Sequence, residues 1–141
     1  MYQLHSQLSA DTITLGELPL CHVLLMNDAQ YPWLILVPRR AGISEIFQLE
    51  APDRQQLEME SCAVSELLMT HFNGDKLNIG ALGNMVPQLH IHHIVRFKTD
   101  AAWPKPVWGT LPNLAYTEKL IKQRHKELIE LLKQVPGFKM S

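Results

Sequence analysis

The chain has 141 residues, of which 46% are hydrophobic and 19% charged, and its formal net charge is −1. This length is typical of a single domain with its own core. The near-neutral charge argues against a partner that is nucleic acid or an anionic membrane. The longest apolar run, residues 33–37, is far too short to span a membrane. The N-terminus lacks a basic and apolar leader, so we expect a cytoplasmic protein.

The first half of the chain predicts three strands and one long helix. Apolar and β-branched runs favour strands at 11–15, 18–27 and 33–37. Pro52 suits a first helical turn, and apolar residues recur at helical spacing from there to residue 72. We expect Gly74 to end this helix. A short helical turn is expected at 44–49, before the helix begins.

The second half predicts a strand at 76–82, a loop at 83–87 and a strand at 89–97. Three prolines, one glycine and two tryptophans exclude regular structure from 101–112. A C-terminal helix capped by Asn113 is expected at 114–133. Antiparallel strands with segregated helices indicate the α+β class. We therefore predict one domain, 1–141, with its core at about 10–97.

The segment 84–96 carries three of the seven histidines. Side chains alternate between the two faces of a strand, so one face is expected to hold Gln88, His90, His92, Ile94 and Arg96. The other face then holds Leu89, Ile91, His93 and Val95. Two imidazoles, an amide and a guanidinium in one row are typical of an anion or metal site rather than of an apolar core.

This segment resembles the signature of the histidine triad (HIT) superfamily, in which three histidines alternate with hydrophobic residues. In that alignment Gln88 occupies the place of the first histidine, His90 the middle one and His92 the last. The lead-in 83–87 and the strand pair at 21–40 are similar to those of the family, more loosely. Trp33 stands where many members carry a further histidine.

The resemblance implies a HIT-like antiparallel sheet with one long central helix, and an enzyme that acts at the α-phosphate of a nucleotide derivative. His90 would attack phosphorus and form a covalent nucleotidyl-histidine, for which a neutral imidazole is suited near pH 7. His92 would contact the phosphate or the leaving group, and Gln88 would keep a positioning role. Phosphate contacts are expected from Gly83, Asn84 and Asn78. The resemblance implies a homodimer with a small nucleotide substrate and no metal or cofactor.

Two other functions remain open from the residues. A His-x-His pair on a strand can bind zinc, which would make a zinc-dependent hydrolase, but the motif offers no obvious third ligand. Alternatively, the changes at Gln88 and Trp33 would leave a nucleotide-binding module with weak or lost catalysis.

Several other residues receive structural assignments. We expect His93 to be packed or to lie at a subunit contact, and Arg96 to form a surface ion pair rather than to bind phosphate. Trp103 and Trp108 are assigned to a loop packed on the core, in preference to a lid over a base. Cys21 and Cys62 lack metal or redox spacing and are expected to be buried reduced thiols.

Overall fold

Six strands form one antiparallel sheet in the computed structural model, which describes residues 1–141. The strands are β1 (Thr12–Glu17), β2 (Cys21–Met26), β3 (Trp33–Pro38), β4 (Lys76–Gly80), β5 (Ile91–Arg96) and β6 (Lys139–Met140). Their order across the sheet is β4-β5-β3-β2-β1-β6. The helices are α1 (Ser6–Asp11), α2 (Ala51–Phe72) and α3 (Glu118–Leu132), with a 3₁₀ turn at Ile46–Gln48. This architecture confirms the predicted α+β class. No helix is both long and apolar enough to cross a lipid bilayer.

The central strand β3 is buried along its whole length because both faces of the sheet are covered. One face, here called the helix face, carries Leu34, Leu36 and Val95 and packs against α2 and α3 in the larger core. The other face, here called the site face, carries the alternate residues Trp33 and Ile35. The N-terminal residues and the loop after β5 cover the site face in a second, smaller core. The row that contains His90 and His92, the expected catalytic residues, is therefore covered by these two segments.

Helix α2 begins near the predicted residue but ends differently. Asn73, not Gly74, adopts the left-handed conformation at its C-terminus, with φ of 51°. Asparagine tolerates this region because its short polar side chain bonds locally. Gly74 has another constraint, since a Cβ there would lie 2.5 Å from Val95 Cγ1.

Helix α3 starts four residues later than the predicted residue 114. Thr117 caps it, with its side-chain oxygen accepting from the Leu120 N–H. Asn113, the predicted cap, instead donates its side-chain amide to the Asn27 carbonyl. The residues between Asn113 and Thr117 are thus held as an extended link to the sheet.

Strand β5 begins at Ile91, two residues after the predicted start. The Leu89 N–H bonds to the Ile43 carbonyl instead of entering a strand ladder, so residues 88–90 lie outside the strand. Strand β4 likewise ends at Gly80 rather than residue 82. The short elements α1 and β6 were not predicted, since six and two residues carry too little periodicity.

The two cysteines differ in exposure. Cys21 is fully buried, and burial followed by the nearby Glu60 carboxylate raises the pKa of its thiol. Cys62 is exposed, so the expectation of a buried thiol is wrong there. The buried side of α2 follows Leu57, Glu60, Val64 and Leu68, and residue 62 falls on the opposite side at 100° per residue.

Candidate active site

The strand register brings the two predicted histidines together on the site face. His92 pairs with Ile35 of β3 on one side and with Gly80 of β4 on the other. The His90 and His92 ring centroids are 5.0 Å apart with planes at 70°, and each residue is 7% exposed. The two imidazoles are thus adjacent and almost excluded from bulk water, which strengthens their interaction with a bound anion.

His90 is oriented by the backbone two residues before it. Its Nδ1 lies 2.7 Å from the Gln88 carbonyl oxygen. A carbonyl only accepts, so Nδ1 carries the hydrogen and, in the neutral ring, Nε2 keeps its lone pair. This arrangement leaves Nε2 free to act as a nucleophile.

His92 is fixed in the opposite tautomer. The Trp33 indole N–H donates to His92 Nδ1 at 3.0 Å, and an indole nitrogen can only donate. The hydrogen of a neutral His92 therefore lies on Nε2. Burial, followed by the neighbouring His90 and His93, lowers the pKa of His92 to about 3. His92 is consequently a neutral hydrogen-bond donor at physiological pH, held in place by Trp33.

Substituting Trp33 by Phe should release this tautomer. The phenyl ring fills most of the space but has no N–H, so His92 Nδ1 loses its donor. We expect ¹⁵N NMR to show His92 as the Nε2–H tautomer in the wild type and as a mixture in Trp33→Phe. His90 should keep its Nδ1–H form in both proteins and serves as the internal control. An unchanged His92 spectrum would contradict the assigned role of Trp33.

His93 lies on the helix face, as the alternation predicts. Its Nδ1 lies 3.0 Å from the Ile91 carbonyl oxygen, and its Nε2 lies 2.7 Å from Ser61 Oγ on α2. Nδ1 must donate to the carbonyl, so Nε2 accepts from the serine hydroxyl. Burial lowers the pKa of His93 to about 4. This histidine is packed in the structure and has no access to the site face.

Acid should destabilise the fold through these two neutral histidines. Their pKa values of about 3 and 4 lie below the ordinary 6.5, so the unfolded chain binds more protons at intermediate pH. Stability should therefore fall as pH drops from 6.5 to about 4.5, by up to about 1.4 kcal/mol per pH unit for each histidine. Urea unfolding at pH 7, 6 and 5 measures this slope. His93→Gln should reduce the slope by about half, and a variant with the full slope would contradict the assignment.

A small cleft before β5 brings together one predicted phosphate ligand and two predicted catalytic residues. Gly83, Gln88 and His90 line it together with Ser44 and Ala81. Gly83 has φ of +74°, which a residue with a Cβ adopts only under strain. The phosphate contact of Gly83 and the positioning role of Gln88 remain predictions.

Three predicted polar contacts have other partners or positions. Asn84 is exposed in the bend after Gly83 and does not line the cleft. The Asn78 side-chain oxygen accepts from Arg96 Nη1 at 2.8 Å. The Gln88 side chain accepts from the His5 N–H at 2.8 Å and donates to the Gln3 carbonyl at 2.9 Å. The structure therefore ties Asn78 to a guanidinium and Gln88 to the N-terminal segment.

Arg96 forms a buried ion pair, so the expected surface pair is wrong. Arg96 and Asp100 are joined by two hydrogen bonds of 2.8 and 3.0 Å, and both side chains are 2% exposed. Asp100 also accepts from three backbone N–H groups at the start of the loop, those of Phe97, Ala102 and Trp103. This pair fixes the path of the proline- and tryptophan-rich loop.

The same loop places Trp108 beside the histidines. Its ring centroid lies 5.4 Å from that of His92. A Cβ on Gly80 would lie 3.0 Å from the Trp108 ring, so the glycine allows the indole to lie directly on the sheet. The loop is thus packed on the sheet, as expected, and Trp108 forms one side of the site.

The sequence reasoning missed the contacts of Trp33, Asp100 and the N-terminal segment. A signal existed for Asp100, because an arginine that ends a strand of mostly aliphatic and histidine residues needs a nearby carboxylate. Trp33 lies on β3, which pairs directly with β5 and places Trp33 opposite Ile94, beside His92. Nothing in the sequence indicated that residues 3 and 5 contact Gln88.

A zinc site receives no support from the grouping of side chains. No cluster of three or more His, Cys, Asp or Glu residues is arranged to hold a metal ion. His90 and His92 would supply two ligands, whereas a catalytic zinc site uses three from the protein.

An α+β fold with two oriented histidines, His90 directly before β5 and His92 on it, is typical of the histidine triad class of fold and site. Residues 7–99 match the HIT domain family model, and the chain belongs to the HIT family. Members of this family are generally nucleotide-binding proteins and hydrolases. The predicted resemblance is therefore confirmed.

Solved structures of similar proteins agree with this assignment. A histidine triad protein from Marinobacter aquaeolei VT8 is 56% identical over 96% of this chain and 98% of its own, with a TM-score of 0.93. One from Bradyrhizobium japonicum is 47% identical over 94% and 96%, with a TM-score of 0.87. One from Sinorhizobium meliloti 1021 is 42% identical over 94% and 98%, with a TM-score of 0.89. No curated protein matches the chain.

Proposed function

We propose that this protein hydrolyses or transfers the nucleotidyl group of a nucleotide derivative through a covalent bond to His90. The observation that carries the proposal is the free Nε2 of His90, set by the bond between its Nδ1 and the Gln88 carbonyl. A nucleophile needs an available lone pair and a fixed direction, and both are present.

In the first step the His90 Nε2 lone pair forms a bond to the α-phosphorus, and the bond from phosphorus to the leaving group breaks. The ring then carries a positive charge, which the Gln88 carbonyl stabilises at Nδ1–H. The leaving group departs with the bonding electrons and takes a proton from solvent. In the second step water attacks phosphorus and releases a proton to solvent, the electrons of the breaking P–Nε2 bond return to His90 as its lone pair, and the nucleoside monophosphate leaves.

His92 supports this reaction as a hydrogen-bond donor. Its Nε2–H would stabilise the phosphoryl oxygens as charge develops on them. Its low pKa, about 3, argues against a charged imidazolium that shuttles protons. Electrostatic stabilisation is thus a better supported role for His92 than proton donation to the leaving group.

A catalytically weak nucleotide-binding module is the second candidate, motivated by Gln88 in the place of the first histidine. Intact-protein mass spectrometry separates the two. The wild type is incubated with adenosine 5′-phosphoramidate, quenched in mild base and weighed. An added adenylyl mass on His90 supports the covalent enzyme, whereas AMP binding without an adduct or turnover supports the module.

We also propose that the protein is a homodimer formed through the edge strand β4. This strand ends the sheet and leaves backbone groups unpaired, which invites pairing with a second chain. Exposed apolar side chains lie on this strand and beside it: Ile79 is part of β4, Ile46 lines a groove with it, and Phe47 lies next to Ile46. A groove lined by Ile46 and Ile79 continues across α2. A second copy would cover this apolar surface in a two-fold arrangement.

Ile79→Lys should dissociate this dimer. Burying the lysine charge in the contact costs more free energy than the contact contributes to association. The weight-average mass in sedimentation should therefore fall from two chains to one at micromolar concentration. Leu120→Lys is the matched control, because Leu120 is exposed on α3, and α3 packs against β1, which lies four strands from β4. A wild-type protein that sediments as a monomer well above micromolar concentration would rule out the dimer.

A further inference from the structure

The side chain of Gln88 is bound on both of its polar atoms by the N-terminal segment. Its oxygen accepts from the His5 N–H at 2.8 Å, and its amide nitrogen donates to the Gln3 carbonyl at 2.9 Å. Both partners are backbone groups, so the contact depends on the path of the segment and not on its side chains. Residues 2–5 are here called the strap.

The strap has a second anchor at its other end. The Tyr2 hydroxyl lies 2.8 Å from His22 Nδ1 on β2. His22 Nε2 faces the Glu17 carboxylate at 3.3 Å, so Nδ1 is the acceptor and the tyrosine hydroxyl donates. Burial is the main reason that the pKa of Tyr2 is raised to about 12, and the hydroxyl therefore remains a donor.

The strand register shows where the strap runs. His22 pairs with Val37, and Leu36 pairs with Ile91, so the same ladder extended by one residue directs Val37 toward His90. Strap residues Tyr2 and Leu4 pack in the core that contains Val37. The strap thus crosses the site face from His22 to Gln88, along the row that leads to His90.

Gln88 therefore makes two kinds of contact at once. Its side chain is fixed by the strap, and its backbone carbonyl orients Nδ1 of His90. We propose that Gln88 is a positioning residue that couples the strap to His90, so that an ordered strap holds the nucleophile in its reactive tautomer and direction. This inference deepens the proposed function and rests on it. It gives the amide in the first triad position a role that needs neither a proton nor a charge.

Two full-length variants test the coupling from opposite ends. Gln88→Leu keeps the size of the side chain but removes both hydrogen bonds to the strap. Tyr2→Phe removes only the anchor at His22 and leaves residue 88 untouched. Gln123→Leu is the matched control, since Gln123 is exposed on α3. These three variants, and the double variant that combines Gln88→Leu with Tyr2→Phe, are compared in two measurements. The first is AMP release from adenosine 5′-phosphoramidate, and the second is ¹⁵N NMR of the His90 ring.

We expect Gln88→Leu to lower kcat by about 10-fold with KM changed by less than about 2-fold, because a misdirected nucleophile weakens the transition state more than binding. Tyr2→Phe should lower kcat by about 3-fold, and the double variant should fall short of the product of the two effects, since both act through one strap. The Nδ1–H signal of His90 should lose intensity in the same order, and the Gln123→Leu protein should match the wild type.

The spectroscopic readout keeps this inference separate from the proposed function. A wild type that releases no AMP refutes the enzyme, and the His90 signal in Gln88→Leu then decides the coupling alone. If Gln88→Leu frees the His5 amide to hydrogen exchange while the His90 tautomer and kcat stay unchanged, the strap contact is structural only and the coupling is refuted.

Discussion

His90→Ala is expected to abolish AMP release from adenosine 5′-phosphoramidate, with kcat/KM falling by at least about 10³-fold. The methyl group leaves no lone pair to attack phosphorus, and neither neighbouring histidine can replace it. His92 presents a hydrogen rather than a lone pair at Nε2, and His93 lies on the other face of the sheet. The adenylyl adduct seen by mass spectrometry should disappear as well.

The fold should survive this substitution, because His90 lies at the edge of a cleft and outside the main core. Circular dichroism and the urea midpoint check that it does. His125→Ala, on α3, is the matched control and should retain full activity. Equal background rates for the wild type and His90→Ala would remove the covalent mechanism.

Asp100→Ala is expected to lower the free energy of unfolding by about 3–5 kcal/mol, because it leaves the Arg96 guanidinium buried without its counter-charge. Three backbone N–H groups lose their acceptor in the same substitution. Urea unfolding at pH 7 measures the loss. Asp53→Ala is the matched control, since Asp53 pairs with Arg40 at the surface, and such a pair contributes about 1 kcal/mol or less.

A double variant tests the cause of this loss. Arg96→Met together with Asp100→Leu removes both charges, and it should recover part of the stability lost by Asp100→Ala alone. The pH dependence gives a further check. Burial alone would raise the pKa of Asp100, but the hydrogen bonds from Arg96 and the backbone lower it below its usual value. The contribution of Asp100 is therefore present above pH 4 and lost as pH falls through its lowered pKa. A double variant no more stable than Asp100→Ala would assign the loss to packing instead.

Prediction from sequence was most accurate where a regular spacing of side chains coincided with a distinctive local residue such as a proline or a histidine. The alternation along 88–96 predicts that His90 and His92 share a face and that His93 does not. The ladder of β5 with β3 and β4 places His92 and His93 on opposite faces, and the His90 ring lies 5.0 Å from that of His92. The long helix α2 was placed within one residue at its start because Pro52 and the apolar spacing coincide.

The remaining errors come from contacts between residues that are far apart in sequence. Leu89 leaves the strand pattern because its N–H finds the Ile43 carbonyl, a choice that no local propensity encodes. Arg96 becomes buried because the following loop folds back and supplies Asp100 and a carbonyl. The partners of the Gln88 side chain lie more than 80 residues away, so their identity depends on the finished fold.

Because Cys62 is exposed and Cys21 is buried, the modification of the two thiols can measure how often the folded protein opens transiently. A maleimide should modify Cys62 at once, since it projects from the outer side of α2. Cys21 is fully buried at the start of β2 with its thiolate disfavoured, so it should react only while the sheet is transiently open. The rate of the second modification, followed by mass, then measures the free energy of that opening in native buffer. The opening free energies of variants can then be compared without a denaturant and without an engineered cysteine.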